Sequence, residues 1–338
     1  MSKKIRFHNQ PRLPFEEWEE EQIPKPRVTI AQRPAIQSQS DLLEEAGEIK
    51  GGEKLHYISF GSGSSGNSCY IGTDTMGLIV DAGVRADHVE EMMKGAGLSM
   101  RQVKALLLTH DHSDHVRYAY NLLRTQRHIS LYCTPRVLNG LLRRHNISRR
   151  IRDYHTPIFK EIPFKVGPIE ITAFDVPHDG SDNMGFYIEY AGHRFALATD
   201  LGEVTERARH YMSRANYLVL EANYDEEMLR TGRYPEYLKA RIRAANGHLD
   251  NRQTAAFLQE IVNPELRYVF LCHLSQDNNT PSKALKCVRD ALESLGKKIG
   301  RGEETIADRS ADLQLMALPR FDATRRFVFR LPLDKKKP

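Results

Sequence analysis

From Leu55 onward the chain is a succession of short apolar runs set between polar or glycine-bearing turns. Residues 57–60 and 69–71 flank the turn Gly61-Ser62-Gly63-Ser64-Ser65-Gly66-Asn67-Ser68 and predict a glycine-bent β-hairpin. Further apolar runs predict strands at 77–83, 103–108, 131–133, 169–174, 217–220 and 268–272. A hairpin of 184–190 with 194–198 turns at Ala191-Gly192, and two late strands are expected at 312–319 and 325–331. Helices are predicted at 86–96, 118–123, 136–144, 226–230, 237–245 and 251–261. Ser99 caps a short turn, and another helix opens at Thr280-Pro281, where a capping residue precedes a first-turn proline. Strands alternating with helices make an α/β domain with its site at strand ends.

Those ends are where polar chemistry collects. The run 103–108 is followed at once by Thr109-His110-Asp111-His112-Ser113-Asp114-His115. Imidazole nitrogen and carboxylate oxygen are the donors that zinc and its chemical neighbours take. His110 and His112, two apart on an extended segment, point the same way; with His178, after 169–174, they make three ligands for one ion. Asp114, His115 and His273, the last of these after 268–272, serve a second ion. Asp200, after 194–198, has two oxygens with which to bridge the pair. Asp81 either orients a ligating histidine or a water, or caps the next helix. Two metals hold a bridging hydroxide and clamp both oxygens of an in-line displacement, so no side-chain nucleophile is needed. The leaving oxygen does need a proton. His248 is the candidate donor, with Glu221 or Asp225 orienting its ring.

Composition narrows the class. With 40% hydrophobic and 28% charged residues, the 338-residue chain is of ordinary globular make-up. No stretch approaches the roughly 18 apolar residues of a membrane span. The start, Met1-Ser2-Lys3-Lys4-Ile5-Arg6, has no apolar core behind it, so no signal peptide is expected. Cys69, Cys133, Cys272 and Cys287 are widely spaced and read as reduced thiols of a cytoplasmic protein. Residues 1–54 carry five prolines and an acidic cluster at 16–21, and predict an extended or disordered extension with a short helix at 41–49. A hydrolase domain at 55–333 and a basic tail at 334–338 follow. The extension holds nine Lys/Arg against ten Asp/Glu, so a net charge of +5 leaves +6 on the remainder, compatible with a polyanionic substrate. Arginine-rich stretches at 143–152 and 230–243 are candidate phosphate contacts. The glycine-rich turn lacks G-K-[ST] and is no Walker loop.

The metal loop resembles the metallo-β-lactamase superfamily signature, which implies an αββα sandwich with a one- or two-metal site at its edge. The resemblance narrows with Ser62-Gly63-Ser64-Ser65-Gly66-Asn67-Ser68, Glu221-Ala222-Asn223-Tyr224-Asp225, Gly247-His248-Leu249-Asp250-Asn251 and His273-Leu274-Ser275-Gln276-Asp277-Asn278-Asn279-Thr280-Pro281. These, in ordered succession over residues 55–290, are similar to the YycJ (WalJ) family, itself similar to ribonuclease Z and to phosphonate-pathway phosphodiesterases. The resemblance implies a 5′-to-3′ exonuclease on double-stranded DNA; spacing alone reaches only a two-metal phosphodiesterase. Zinc suits the histidines, while manganese or iron suits the mixed carboxylate half. In place of the family's Ser-Asn-His-Asp stands Ala222-Asn223-Tyr224-Asp225, leaving Tyr224 as a weaker donor where a histidine is missing. Two alternatives stay open: a phosphodiesterase of small cyclic or nucleotide substrates, and a nucleic-acid-binding or signalling protein without turnover. A β-lactamase or thioesterase would explain neither the arginines nor His248.

Overall fold

The computed structural model describes residues 53–304 and 307–331. The helix expected at 41–49, the basic tail at 334–338 and the extension up to residue 52 lie outside the described residues. The described strands are β1 Lys54–Gly61, β2 Ser68–Gly72, β3 Gly77–Val80, β4 Val103–Leu107, β5 Ser130–Cys133, β6 His155–Pro157, β7 Phe164–Val166, β8 Ile169–Asp175, β9 Met184–Tyr190, β10 His193–Ala198, β11 Tyr217–Glu221, β12 Tyr268–Cys272, β13 Ile299–Arg301, β14 Leu313–Ala317 and β15 Phe327–Arg330. The described helices are α1 Ala86–Gly95, α2 Ser113–Val116, α3 Ala119–Thr125, α4 Pro135–Arg144, α5 Glu206–Met212, α6 Glu226–Thr231, α7 Glu236–Arg243, α8 Asn251–Ile261 and α9 Pro281–Glu293. None is long and apolar enough to cross a membrane.

Caps set several helix starts. Asp250 accepts from the Arg252 and Gln253 N–H groups and Gln253 answers the Asp250 N–H, a capping box that opens α8. Thr280 accepts from the Lys283 N–H ahead of Pro281 at the start of α9. The sequence pattern missed β6, β7, β13, α5 and the four-residue α2, which lies inside the expected ligand loop. The three strands have three residues each and lie at or next to sheet edges, and α5 buries only Ala208 and Met212. Neither offers enough apolar positions to define a period.

The strands form two sheets, ordered β15-β1-β2-β3-β4-β5-β6 and β13-β14-β12-β11-β10-β9-β8-β7. Strand alternation builds the layers. On β12, Phe270 and Cys272 join the core between the sheets, whereas Val269 and Leu271 join Leu258, Val288 and Leu292 of α8 and α9. Tyr57 of β1 meets Phe195 and Phe270 of the opposite sheet at centroid distances of 5.1 and 4.9 Å. Val89, Met93, Leu123 and Leu141 of α1, α3 and α4 cover the outer face of the first sheet. The result is an αββα sandwich, the expected fold class. What matters for the site is polarity. β3, β4 and β5 run parallel, as do β10, β11, β12 and β14, so their carboxyl ends share an edge of each sheet.

Candidate metal centre

The metal loop leaves β4 and is anchored before it reaches α2. The Asp81 N–H donates to Leu107 O (2.8 Å), and Asp81 in turn accepts from the Thr109 N–H (2.9 Å) and hydroxyl (2.8 Å). The short helix α2 then seats against two neighbouring loops: Ala82 N–H donates to His115 O (2.7 Å) and Asn67 N–H to Asp114 O (2.8 Å). Gly83 makes that seat possible, because a Cβ there would sit 1.5 Å from Asp114 O. Asp81 and His273 both adopt positive φ (59° and 52°), a local strain that recurs at sites where side-chain aim matters more than backbone ease.

Among the described residues four overlapping groups of donors come together, one of them Asp200, Glu221, His248 and His273; two of the others are the expected ligand sets. His110, His112 and His178 place one ligand atom each within 4.8 Å of one another. His178 Nδ1 donates to Gly247 O (2.9 Å), leaving Nε2 facing the cluster, 3.3 Å from His112 Nδ1. His112 turns that way because its other nitrogen, Nε2, lies 3.2 Å from Asp179 Oδ1. Arg241 holds the second Asp179 oxygen through Nε (2.7 Å) and Nη2 (2.6 Å). The second group is Asp114, His115 and His273. His115 Nδ1 donates to Asp81 Oδ2 (2.7 Å) and His273 Nδ1 to Glu221 Oε1 (3.0 Å), so again each Nε2 is left to the cluster. Asp200 reaches both groups: Oδ2 lies 3.2 Å from His115 Nε2, and Oδ1 lies 3.0 Å from His273 Nδ1 and 3.8 Å from His178 Nε2.

His248 stands beside this cluster, its ring 5.0 Å from that of His178 and 5.3 Å from that of His273. Its Nδ1 donates to Glu221 Oε1 at 2.6 Å. Glu221 is fully buried, and its other oxygen accepts the N–H groups of Leu201 (3.0 Å) and Leu249 (3.2 Å).

Comparison with known proteins now has a site to attach to. The profile of the beta-lactamase superfamily domain matches residues 77–273. Exodeoxyribonuclease YycJ of Bacillus anthracis is 34% identical over 256 residues, 74% of this chain and 94% of that one. The chain belongs to the metallo-β-lactamase superfamily, in its YycJ branch. Among solved structures, the metallo-β-lactamase-fold protein YhfI of Bacillus subtilis matches 83% of the chain and all of YhfI, with a TM-score of 0.57 at 13% identity. Zinc-bound PqqB of Methylobacterium extorquens matches 82% and all of PqqB, with a TM-score of 0.55 at 19% identity. These two establish the fold. Family and donor set together make the protein a metallo-hydrolase.

Does this chain's donor set suit divalent ions? His110 Nε2 is buried with no hydrogen-bond partner among the described residues, and Asp200 Oδ2 has none beyond its ion contact with His115. An orphaned buried polar atom costs about 1–3 kcal/mol, which a cation between them would remove. Protonation states agree. Burial and the neighbouring imidazoles hold His110 well below the usual histidine range, and burial lowers His178 to about 4, so both are neutral ligands. Burial works against charge on Asp200 and Asp114, but the surrounding histidines outweigh it and keep both ionised, Asp114 at about 2. Burial likewise opposes charge on His273, yet Asp200, Asp114 and Glu221 lift it to about 10. That half of the cluster therefore draws in positive charge, which protons supply here and a metal would supply better. The residues fit two ions.

Two expectations need correction and one open alternative is decided. Glu221, not Asp225, holds the His248 ring: Asp225 instead caps α6 through the Met228 N–H (3.0 Å) and pairs with Lys283 (3.1 Å). Asp81 accepts from His115 and Thr109 and caps no helix; Arg85 occupies the cap position of α1. Tyr224 packs with Leu229 and Ile242, and its hydroxyl makes no hydrogen bond to the cluster among the described residues. Two contributors escaped sequence reasoning. Asp179 directly follows His178, and that adjacency was the available signal. The Asn67 amide nitrogen lies 3.0 Å from Asp114 Oδ2 and 2.9 Å from His115 Nε2, while its oxygen accepts the Gly63 N–H (2.8 Å). The glycine-rich turn thus brings a side chain to the site.

Proposed function

We propose that the protein is a two-metal phosphodiesterase that degrades double-stranded DNA from an end in the 5′-to-3′ direction. The observation that carries this reading is the Glu221–His248 pair: a histidine oriented by a buried carboxylate beside the ligand cluster, and outside the two ligand sets assigned here. DNA as the polymer follows the named activity of the YycJ relative, and the polarity follows the family resemblance.

His110, His112 and His178 would hold one ion, Asp114, His115 and His273 the other, with Asp200 shared; zinc is the ion we assign, since five of these seven donors are imidazoles. Such ions supply Lewis acidity, neutralise phosphate charge and lower the pKa of water. The protein's own work is orientation and proton transfer. Asp81, Glu221, Asp179 and the Gly247 carbonyl fix the ligand rings. Glu221 keeps the proton of His248 on Nδ1 and fixes its ring, so Nε2 faces the site and can carry the proton delivered to the leaving oxygen. We place the protein in the cytoplasm, in keeping with four cysteines that are all free thiols.

The test is digestion by metal-replete protein of end-labelled duplex DNA, single-stranded DNA, RNA and bis-p-nitrophenyl phosphate. Progressive release from 5′ ends of the duplex is expected. Hydrolysis of the small ester with every polymer intact would move the protein to the small-substrate phosphodiesterases.

A further inference from the structure

Between Arg117 and Arg152 the chain holds nine arginines, no lysine and no carboxylate. Nine positive charges in a chain of net +5 leave the rest at −4, so this one segment makes the protein basic. It is rooted at the metal loop from both sides. Arg117 comes two residues after His115, and at the far end His145 Nε2 donates to Asp111 O (2.6 Å) while Arg144 lies 3.5 Å from Asp111 Oδ1.

Many arginines elsewhere are paired. Arg85 meets Asp87, Arg194 meets Glu265, Arg209 meets Glu260, and Arg289 lies 3.6 Å from Glu293. In the second arginine-rich stretch, expected from sequence to contact phosphate, three of four arginines are spent the same way: Arg230 pairs with Glu227 (2.7 Å), Arg241 with Asp179 (2.6 Å) and Arg243 with Glu226 (2.7 Å), leaving Arg233. Within 117–152, by contrast, only Arg144 has an ion-pair partner among the described residues, and all the arginines except Arg117 are exposed. Three of them, Arg124, Arg127 and Arg150, line a single cavity of about 560 Å³ together with Tyr120, Tyr154 and one acid, Asp153. Three guanidinium groups against one carboxylate repel one another, and an anionic ligand relieves that repulsion. Their planar forks suit phosphate oxygens bidentately.

We propose that this cavity, and the carboxylate-free segment that supplies its arginines, binds the backbone phosphates of a nucleic-acid strand running past the metal centre. The inference rests on the nuclease reading and adds where the polymer is gripped: on the side of α3 and the turn at 149–154, not on the ion-paired α6–α7 side. A grip of this kind is sequence-independent and salt-sensitive, because each phosphate neutralised releases counterions. It also separates polymer from small ester, since a monophosphate diester held at the metals has no second phosphate to place in the cavity.

The experiment uses the full, metal-loaded chain. Binding of a linear duplex oligonucleotide is measured against salt in a His248→Ala background, with and without Arg124→Gln, Arg127→Gln and Arg150→Gln together. The triple variant is expected to bind roughly tenfold or more weakly and to lose about 2–3 units from the slope of log affinity against log salt. With His248 intact it should hydrolyse bis-p-nitrophenyl phosphate at the wild-type rate, which also certifies its folding. Arg85→Gln with Arg230→Gln, which removes two paired arginines, should leave the slope near wild type. A triple variant with unchanged affinity and slope overturns the cavity while leaving the nuclease reading intact. Loss of small-ester turnover in the triple variant would also overturn it, by making these arginines part of the fold or the centre. Equal competition by inorganic phosphate and by duplex at matched phosphate concentration would make the cavity a free-anion site. Wild-type protein that binds no nucleic acid overturns both readings.

Discussion

Glu221→Gln is the change that separates proton delivery from metal binding. The Glu221 carboxylate is fully buried and accepts at four contacts: His248 Nδ1 (2.6 Å) and His273 Nδ1 (3.0 Å) on one oxygen, the Leu201 and Leu249 N–H groups (3.0 and 3.2 Å) on the other. Glutamine fills the same space but accepts at one end only. Whichever way it lies, its NH₂ faces two donors. Breaking a buried charged network from one side costs about 3–5 kcal/mol. Two functional losses follow. His273 is no longer held, so affinity at the second ion falls about 10–100-fold. His248 loses the carboxylate that holds its Nδ1–H and aims its ring, so turnover of substrates with a poor leaving oxygen falls about 10²–10⁴-fold even at saturating metal. The assay compares duplex DNA with bis-p-nitrophenyl phosphate, whose leaving group departs without a proton. With metal saturating, the variant should be crippled on DNA and nearly normal on the ester, and His248→Ala should show the same split with normal metal content. If excess metal restores DNA turnover fully, or if both substrates slow alike, proton delivery by His248 is wrong.

His112→Ala removes one of three converging imidazoles and should abolish turnover and lower metal content measured by atomic emission; full activity would sink the metal assignment. Asp179→Asn leaves His112 Nε2 without its anionic partner and should weaken metal binding about 10–100-fold by chelator competition, with Arg241→Gln acting in the same direction. Gly83→Ala places a methyl on the Asp114 carbonyl oxygen and should destabilise by at least about 1–3 kcal/mol and shed metal. Gly95→Ala, with nothing within 4 Å, should do neither. Burial holds His193 below its usual value against a stabilising contact with Glu53 O. The unfolded chain then takes up a proton that the fold refuses, so stability is full above about pH 6.5 and is lost as pH falls toward the folded value. Melting temperature from pH 7 to 5 should fall less steeply in His193→Gln than in wild type.

Much of this protein was legible in order of residues alone. The strand β4 and the ligand loop behind it are local: an apolar run needs only its own composition to form a strand, and His110, His112, Asp114 and His115 follow within eight residues of it. The same holds for α8 and α9, whose caps and periods lie inside the segment. His178, Asp200, Glu221 and His273 were also readable as strand-end residues, because each follows a strand with a clear apolar run. What the pattern could not carry was partnership. Glu221 and Asp225 are four apart and chemically alike, yet only the first points from β11 to His248; the second turns away into a helix cap. Asp81 was balanced between cap and orienter until His115 came within 2.7 Å of it. Asn67 and Arg241 lie 48 and 62 residues from the groups they hold. The two arginine-rich stretches look alike in one dimension, and only the fold brings Asp179 to Arg241 and Glu226 to Arg243 while leaving the first stretch with one contact, Arg144 to Asp111. Local sequence determines which elements form and what chemistry each end bears, since propensity and capping act within a few residues. Which donor faces which acceptor depends on the crossing of distant strands, and that belongs to the tertiary structure.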